Sequence, residues 1–439
     1  MTTTLLRGGR IIDAAQSIDF IGDILIRDGV IEQVSSAPIS ESNCATIDCE
    51  GCILSPGLID IHVHFRQPCS GKHEENTATG IASASAGGFT TVCTMPNTNP
   101  AIDNPEMVQH AIKNAAHIGK CRVLPTACAT IDRKGDSIAP IQAMVASGAI
   151  AITDDGNAVE NDDMMSAVLQ ACVENNVPFM QHCQDQKTTV GGVMNAGEVQ
   201  RELGYGPWPR EAEESIIARD IKLNASIGAT WHAQHISSGG SVELIRNAKA
   251  NEQPISGEAS PHHLLLTDDA CRDLGTMAKM NPPLREQNDI TLIKEGIADG
   301  TIEILATDHA PHPMHTKECP FAQASFGIVG LDCALALYAK ALIEDGVLTW
   351  PRMLTMMTWN AAILINRPDI GTLAIGSTAD ITIIDPNVQW TIETNEFASA
   401  ARNCPFNGWN VKGKAIMTMY GGVITHQTRT DRAKHCNQG

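Results

Sequence analysis

Residues 57–65, "GLIDIHVHF", read as a buried strand that ends on two histidines, His62 and His64. Side chains at i and i+2 of a strand project from the same face, so both imidazoles aim at one point. Leucine would fill a core more comfortably, whereas two convergent imidazoles suit ligation. Outward from this stretch the same rhythm returns: a strand-like run, then a helical one. The strand candidates are "GLIDIHVHF", "FTTVCTMP", "RVLPTACAT", "AIAITDDG", "VPFMQHC", "TWHAQHIS", "PISGEASPHH" and "IEILATDHAP". Between them, "NPEMVQHAIKNAAHIG", "DDMMSAVLQACVENN", "EAEESIIARDIK" and "GSVELIRNAKA" carry helical character. Eight such units between residues 55 and 370 predict an α/β fold, a (β/α)8 TIM-like barrel with loop insertions. An open doubly wound sheet is disfavoured, because no G-x-G-x-x-G follows the first strand.

The chain ends have a different texture. Residues 1–54 alternate short β-like runs with turns, and "GTLAIGSTADITIIDPN" and "GKAIMTMYGGVITH" return to that pattern after the helical pair in "LTWPRMLTMMTWNAAILI". Residues 1–54 and 371–430 are therefore expected to form one small, discontinuous β-sandwich-like domain around a metal-binding barrel at 55–370. The last residues, "TRTDRAKHCNQG", read as a frayed tail.

Bulk composition bounds the function. The 439 residues are 43% hydrophobic, enough for a large core. With 31 basic against 50 acidic residues, the formal charge is −19. That disfavours a nucleic-acid or anionic-membrane surface and suits a small-molecule ligand. No apolar run approaches membrane-spanning length and the N-terminus lacks a signal-peptide core, so a cytoplasmic protein is expected. Fourteen scattered cysteines fit reduced thiols, and the lone Cys49–Cys52 CxxC reads as two small buried residues.

The unusual residues fall where the strands end. His62 and His64 close strand one, and Asn97 follows strand two. Asp154 and Asp155 close strand four, His182 strand five and His235 strand six, while Asp308, His309 and His312 follow strand eight. A parallel barrel gathers those ends at one mouth, and imidazoles with carboxylates are preferred ligands of zinc and its neighbours. A single histidine at a strand end is usually a hydrogen-bonded core or rim residue, and Asp155-Gly156 alone is a turn. Four histidines and an aspartate at five strand ends are hard to ascribe to coincidence, so a metal site is expected. His110 and His117 read as surface helix positions, and His73, His315, His426 and His435 as loop or terminal ones. His232 lies three residues before His235 and should face away from it. His262 and His263 read as supporting residues.

With these residues in hand, the chain resembles the dihydroorotases of the amidohydrolase superfamily. The likeness rests on "GLIDIHVHFRQP", "TMPNTNP", "AITDDG", "MQHCQD", "QHIS", "MNPPLR", "ATDHAPH" and "FGIVGL", in family order, with "GTLAIGSTADI" extending it. It implies a centre of one or two zinc ions, two favoured. His62 and His64 would hold one ion and His182 and His235 the other, with Asp155 bridging and Asp154 as fallback. Asp308 would complete the first ion's ligands and act as catalytic acid/base. His64, Arg66, Asn97, Asn281, His312, Phe326 and Gly327 would bind substrate, the last two through their backbone. The implied reaction interconverts N-carbamoyl-L-aspartate and (S)-dihydroorotate in pyrimidine biosynthesis. A homo-oligomer, and a complex with aspartate transcarbamoylase, are also implied. Allantoinases and dihydropyrimidinases resemble this family but bridge their metals through a carboxylated lysine. "ASGAIAITDDG" has no lysine, and the nearest flanking ones are Lys134 and Lys187. Another cyclic amidase or a non-catalytic scaffold are the alternatives. Gln67, Pro68 and Cys69 after Arg66, and Ser325 before "FGIVGL", depart from the family pattern and bear on the substrate loops.

Overall fold

The computed structural model describes residues 2–68 and 75–428. Cys69, His73, His435 and the expected tail from 429 lie outside the described residues. Five strands come first: β1 (Thr3–Asp13), β2 (Ile18–Arg27), β3 (Val30–Ser35), β4 (Ala45–Asp48) and β5 (Ile53–Pro56). The middle of the chain carries β6 (Leu58–Val63), β7 (Phe89–Thr94), β8 (Arg122–Pro125) and β9 (Phe179–Gln181). A short parallel ribbon of β10 (Met194–Asn195) and β11 (Pro207–Trp208) follows, then β12 (Trp231–Ala233), β13 (Ile255–Ala259) and β14 (Ile304–Leu305). The last strands are β15 (Ile381–Thr391), β16 (Asn410–Tyr420) and β17 (Val423–Gln427).

Two parallel sheets, β6–β7–β8 and β9–β12–β13–β14, occupy the middle. Single parallel bridges join them: Ala127 to Ile152 and Ile152 to Phe179 at one side, Val63 to His309 at the other. The pairings thus run in a circuit whose strands all point the same way, so their C-terminal ends share one end of the molecule. Side chains from both sheets meet in a common buried cluster containing Ile59, Ile61, Cys93, Met95, Met180 and Ile304.

Helices occupy the expected stretches, at Pro105–Ile118, Asp162–Glu174, Glu211–Asn224 and Gly239–Ala250. Pro105–Ile118 shows why these segments are helical. Asn104 Oδ1 accepts from the Met107 amide, proline takes the first turn where no amide hydrogen is needed, and Gly119 ends the helix at φ +67.

Strand four is shorter than the sequence suggests. In the run 149–156 only Ile150 to Thr153 hydrogen-bond to the neighbouring strands; the chain then turns at Asp155 and Gly156, and the Asp154 carboxylate accepts from the Ala129 and Thr130 amides.

The chain ends build one mixed sheet in the order β17–β16–β15–β5–β1–β2–β3, with β4 beside β1. β15 runs antiparallel to β5, placing Ile383 opposite Leu54, and β5 runs parallel to β1, placing Ile53 opposite Arg10. Leu6, Ile11, Ile24, Leu54, Ile381, Ile383 and Met419 are buried together on it. Each such side chain contributes about 1.5–3 kcal/mol relative to exposure, which explains why distant segments pair. Cys49 and Cys52 are buried in the same cluster. Among the described residues, no helix is long and apolar enough to cross a membrane.

Candidate active site

Every residue expected at the site except His62 lines one cavity of about 180 Å³ at the C-terminal end of the parallel strands. His62 lies directly behind it and is fully buried. A larger cavity of about 580 Å³ lies against the mixed sheet near Trp350. Its Arg10 is paired with Asp19 at 2.7 Å and its Glu344 with Lys340 at 3.7 Å, so reactive groups gather in the smaller cavity.

His62 is the penultimate residue of β6 and His64 lies just beyond its end. His62 Nε2 is 3.4 Å from Asp155 Oδ1 and 3.5 Å from Asp308 Oδ1. His64 Nε2 is 2.9 Å from Asp308 Oδ1 and 3.6 Å from Asp155 Oδ2. On the other side of Asp155, His182 Nδ1 lies 3.6 Å and His235 Nε2 4.0 Å from Oδ1. Two donor sets thus share Asp155: His62 with His64, and His182 with His235. Asp308 joins His62 and His235 in a third. Asp154 is turned away, bonded to Thr130 and to the Ala129 amide.

These groups are arranged for a cation. Burial alone would lower the His62 imidazole, but the Asp308, Glu258 and Asp155 carboxylates outweigh it and hold it well above its ordinary value. Burial likewise opposes ionisation of Asp155, yet His62 and His182 hold its carboxyl well below the usual range. His62 Nε2, buried and facing two carboxylates, has no hydrogen-bond partner. The mixed imidazole and carboxylate donors fit a transition-series dication.

Three site residues, Arg66, His235 and Asp308, adopt left-handed backbone conformations, at φ +57, +33 and +48. Non-glycine residues pay roughly 1–3 kcal/mol for such geometry, and it collects where function requires it. Arg66 therefore reaches the cavity by a left-handed turn beyond β6, not by strand alternation. Its Nε donates to Pro311 O at 3.2 Å, and Nη2 lies 3.3 Å from His312 Nε2. Burial lowers the guanidinium to about 10, still charged at neutral pH. Burial and Arg66 push His312 down to about 2, leaving it a neutral acceptor for Arg66.

Asn97 links two members of the first donor set: Oδ1 lies 3.0 Å from His64 Nδ1 and Nδ2 donates to Asp155 Oδ2 at 2.8 Å. Asn281 Nδ2 donates to Gln184 Oε1 at 3.2 Å, while its buried Oδ1 has no partner. Phe326 and Gly327 complete the wall. A Cβ on Gly327 would lie 2.8 Å from Ala310 O and 2.8 Å from His312 Cδ2, so only glycine fits there.

Sequence reasoning missed Glu258 on β13. Its Oε1 lies 2.6 Å from His62 Nδ1 and its Oε2 3.1 Å from His232 Nε2. This corrects the reading of His232. β12 ends at Ala233 and His235 turns into left-handed geometry, so both histidines reach the interior. The one carboxylate in that strand candidate, "PISGEASPHH", was the available signal. Glu258 fixes the His62 ring with Nε2 toward the cavity, as partners behind metal-bound histidines do. Replacing Glu258 with Ala should cost about 3–5 kcal/mol by leaving buried groups unpaired, and weaken metal retention about 10–100-fold. Urea unfolding and chelator competition would measure the two effects.

Of the remaining histidines, His110, His117 and His315 are exposed and His262 and His263 buried. Lys134 and Lys187 are both exposed, and Lys134 is paired with Asp132 at 2.9 Å.

A family model described as dihydro-orotase-like matches residues 51–241. A dihydroorotase of Geobacter metallireducens is 41% identical over 96% of this chain and 99% of its own length. One of Syntrophotalea carbinolica is also 41% identical, with the same coverage. Among solved structures, an L-hydantoinase (dihydropyrimidinase) from Arthrobacter aurescens superposes with a TM-score of 0.85 at 24% identity, covering 97% of this chain and 96% of that one. A dihydropyrimidinase from Brevibacillus agri gives 0.83 at 22%, covering 98% and 96%. These two establish likeness of fold.

Proposed function

The chain belongs to the dihydroorotase family, and we propose on that premise that it interconverts N-carbamoyl-L-aspartate and (S)-dihydroorotate in a zinc-dependent site. The observation that carries this reading is the adjacency of the Asp155-centred donor sets to the Arg66 guanidinium within one cavity. One part can hold metal and the other can hold a carboxylate.

His62 and His64 would hold one zinc ion, His182 and His235 a second, with Asp155 between them and Asp308 completing the first. Zinc bound there supplies Lewis acidity, polarising an amide carbonyl and making water a competent nucleophile near neutral pH. Asp308 takes the proton of the attacking water and passes it to the ring nitrogen as the C–N bond breaks. In the reverse direction the ureido nitrogen attacks the carbon of the protonated carboxyl group, and its proton passes to Asp308 and on to the departing hydroxyl, which leaves as water. Arg66, with His312 accepting from it, orients the ring carboxylate. Asn281 Oδ1, buried without a partner, can accept from a ring N–H.

The parallel circuit supports reading residues 55–370 as a (β/α)8 barrel, with 1–54 and 371–430 as a separate β-domain. A cytoplasmic homo-oligomer able to join aspartate transcarbamoylase is the corresponding assembly, supported by family membership.

Ring opening of dihydroorotate and of allantoin, measured side by side, tests the reading. Activity on dihydroorotate should disappear on chelation and return with zinc. Turnover of allantoin alone, or of neither with metal bound, would overturn it.

A further inference from the structure

The wall of the cavity opposite the donor cluster is formed by two short backbone runs, 310–312 and 326–327. They meet in a single parallel bridge, His309 to Ile328, where the Ala310 amide donates to Ile328 O at 2.9 Å, and no regular ladder continues it. Towards the cavity the contacts that hold them come from elsewhere in the chain.

Asn403 sits in the connection between β15 and β16, in the segment that leaves the mixed sheet and returns to it. Its side chain is fully buried. Nδ2 donates to Ala310 O at 2.9 Å and to Gly327 O at 3.0 Å, and Oδ1 accepts from the His312 amide at 3.1 Å. Its own carbonyl accepts from the Val329 amide at 3.0 Å. Ala310, His312 and Gly327 line the cavity, whereas Asn403 does not.

Two backbone carbonyls converge on a single NH2 group. Without a donor between them they would repel and remain unsatisfied in a buried place. An amide alone among the side chains offers two donors and an acceptor in this small fork. Aspartate would set an acceptor against acceptors, and serine could supply one donor only. The network also fixes which way the amide points, because its oxygen must face the His312 N–H.

The segment carrying Asn403 is itself anchored. Ser399 Oγ and the Ala400 amide donate to Glu75 Oε2 at 2.7 and 3.0 Å, and the Ala398 amide donates to Asp332 Oδ1 at 2.7 Å. Ala401, Cys404 and Phe406 are buried with Ile328 and Val329 in one apolar cluster. The pin is rigid on both sides.

We propose that Asn403 is a positioning residue for substrate, setting His312 and Gly327 at the distance the ring carboxylate requires while touching neither substrate nor metal. This rests on the dihydroorotase reading, in which His312 accepts from the Arg66 that orients that carboxylate and Gly327 binds substrate through its backbone. It assigns the connection between β15 and β16 a part in specificity.

Asn403→Asp and Asn403→Ala should raise KM for dihydroorotate about tenfold or more, roughly the value of one good hydrogen bond to a charged group. Zinc content and kcat should stay near those of the unaltered enzyme, since contacts shared by ground and transition states act on KM. Asn403→Ser, the gentler change, should give a smaller rise and guards against variants that do not fold. Asn407→Ala, which loosens the Thr394 anchor in the same segment, should lower stability and leave KM unchanged. A KM within twofold of the unaltered enzyme in any folded Asn403 variant would overturn the pin. So would a matching rise in Asn407→Ala, which would show general loosening. The unaltered enzyme in the same assay separates the two questions: if it does not open dihydroorotate, the functional reading fails first.

Discussion

Asp308→Asn should nearly abolish turnover of dihydroorotate while zinc content stays close to normal. The carboxylate sits 2.9 Å from His64 Nε2 and 3.5 Å from His62 Nε2, inside the cavity and 3% exposed. Asparagine preserves shape and one oxygen, and five other donors remain, so metal should still bind. What it lacks is an atom that can take a proton from water and return it to nitrogen. General acid–base groups contribute roughly 10²–10⁴-fold, so kcat should fall by about that factor with little change in KM. Metal analysis beside steady-state kinetics checks this. Near-normal turnover with full metal would remove Asp308 from proton transfer. Loss of activity together with metal would make it a ligand and nothing more.

The residues differ in how far sequence alone could place them. His62 and His64 were legible because strand alternation is a local rule and both sit at one strand end. His182, His235 and Asp308 were legible only through the assumption that parallel strands share an end. The circuit of pairings satisfies that assumption. Asp155 and Asp154 are neighbours with identical chemistry, and local patterning does not separate them. The three-dimensional difference is that Thr130 and the Ala129 amide engage Asp154. Arg66 reaches the cavity by a left-handed turn, a geometry that strand alternation does not predict. Glu258 and Asn403 escaped notice for a different reason. Each acts through partners distant in the chain, His62 across 196 positions and Gly327 across 76, so no short-range spacing marks it. The mixed sheet was legible in texture, but the pairing of β15 with β5 depends on burial that neither strand reveals alone.

Arg66→Ala should selectively remove affinity for the carboxylated ring. The guanidinium lines the cavity, remains charged, and is oriented by Pro311 O and His312 Nε2. Its fork matches a carboxylate in two parallel hydrogen bonds. Truncating one partner of a desolvated charge pair costs about 2–5 kcal/mol, equivalent to roughly 30- to 5,000-fold in affinity. KM for dihydroorotate should rise by that order, while the metal ligands, all on other side chains, are untouched. Loss of binding alone would not distinguish a carboxylate clamp from a collapsed wall. The informative quantity is the ratio of kcat/KM for dihydroorotate to that for dihydrouracil, the same ring without its carboxylate, or the inverse ratio of their inhibition constants. A clamp requires that ratio to fall sharply, because the uncharged ring never used the guanidinium. A collapsed wall weakens both and leaves the ratio unchanged. Arg66→Lys sharpens the distinction: it keeps the charge but loses the planar fork, so its ratio should fall between the two. If the ratio is unchanged in Arg66→Ala, the carboxylate is held elsewhere, and the assignment of this side of the cavity to it fails.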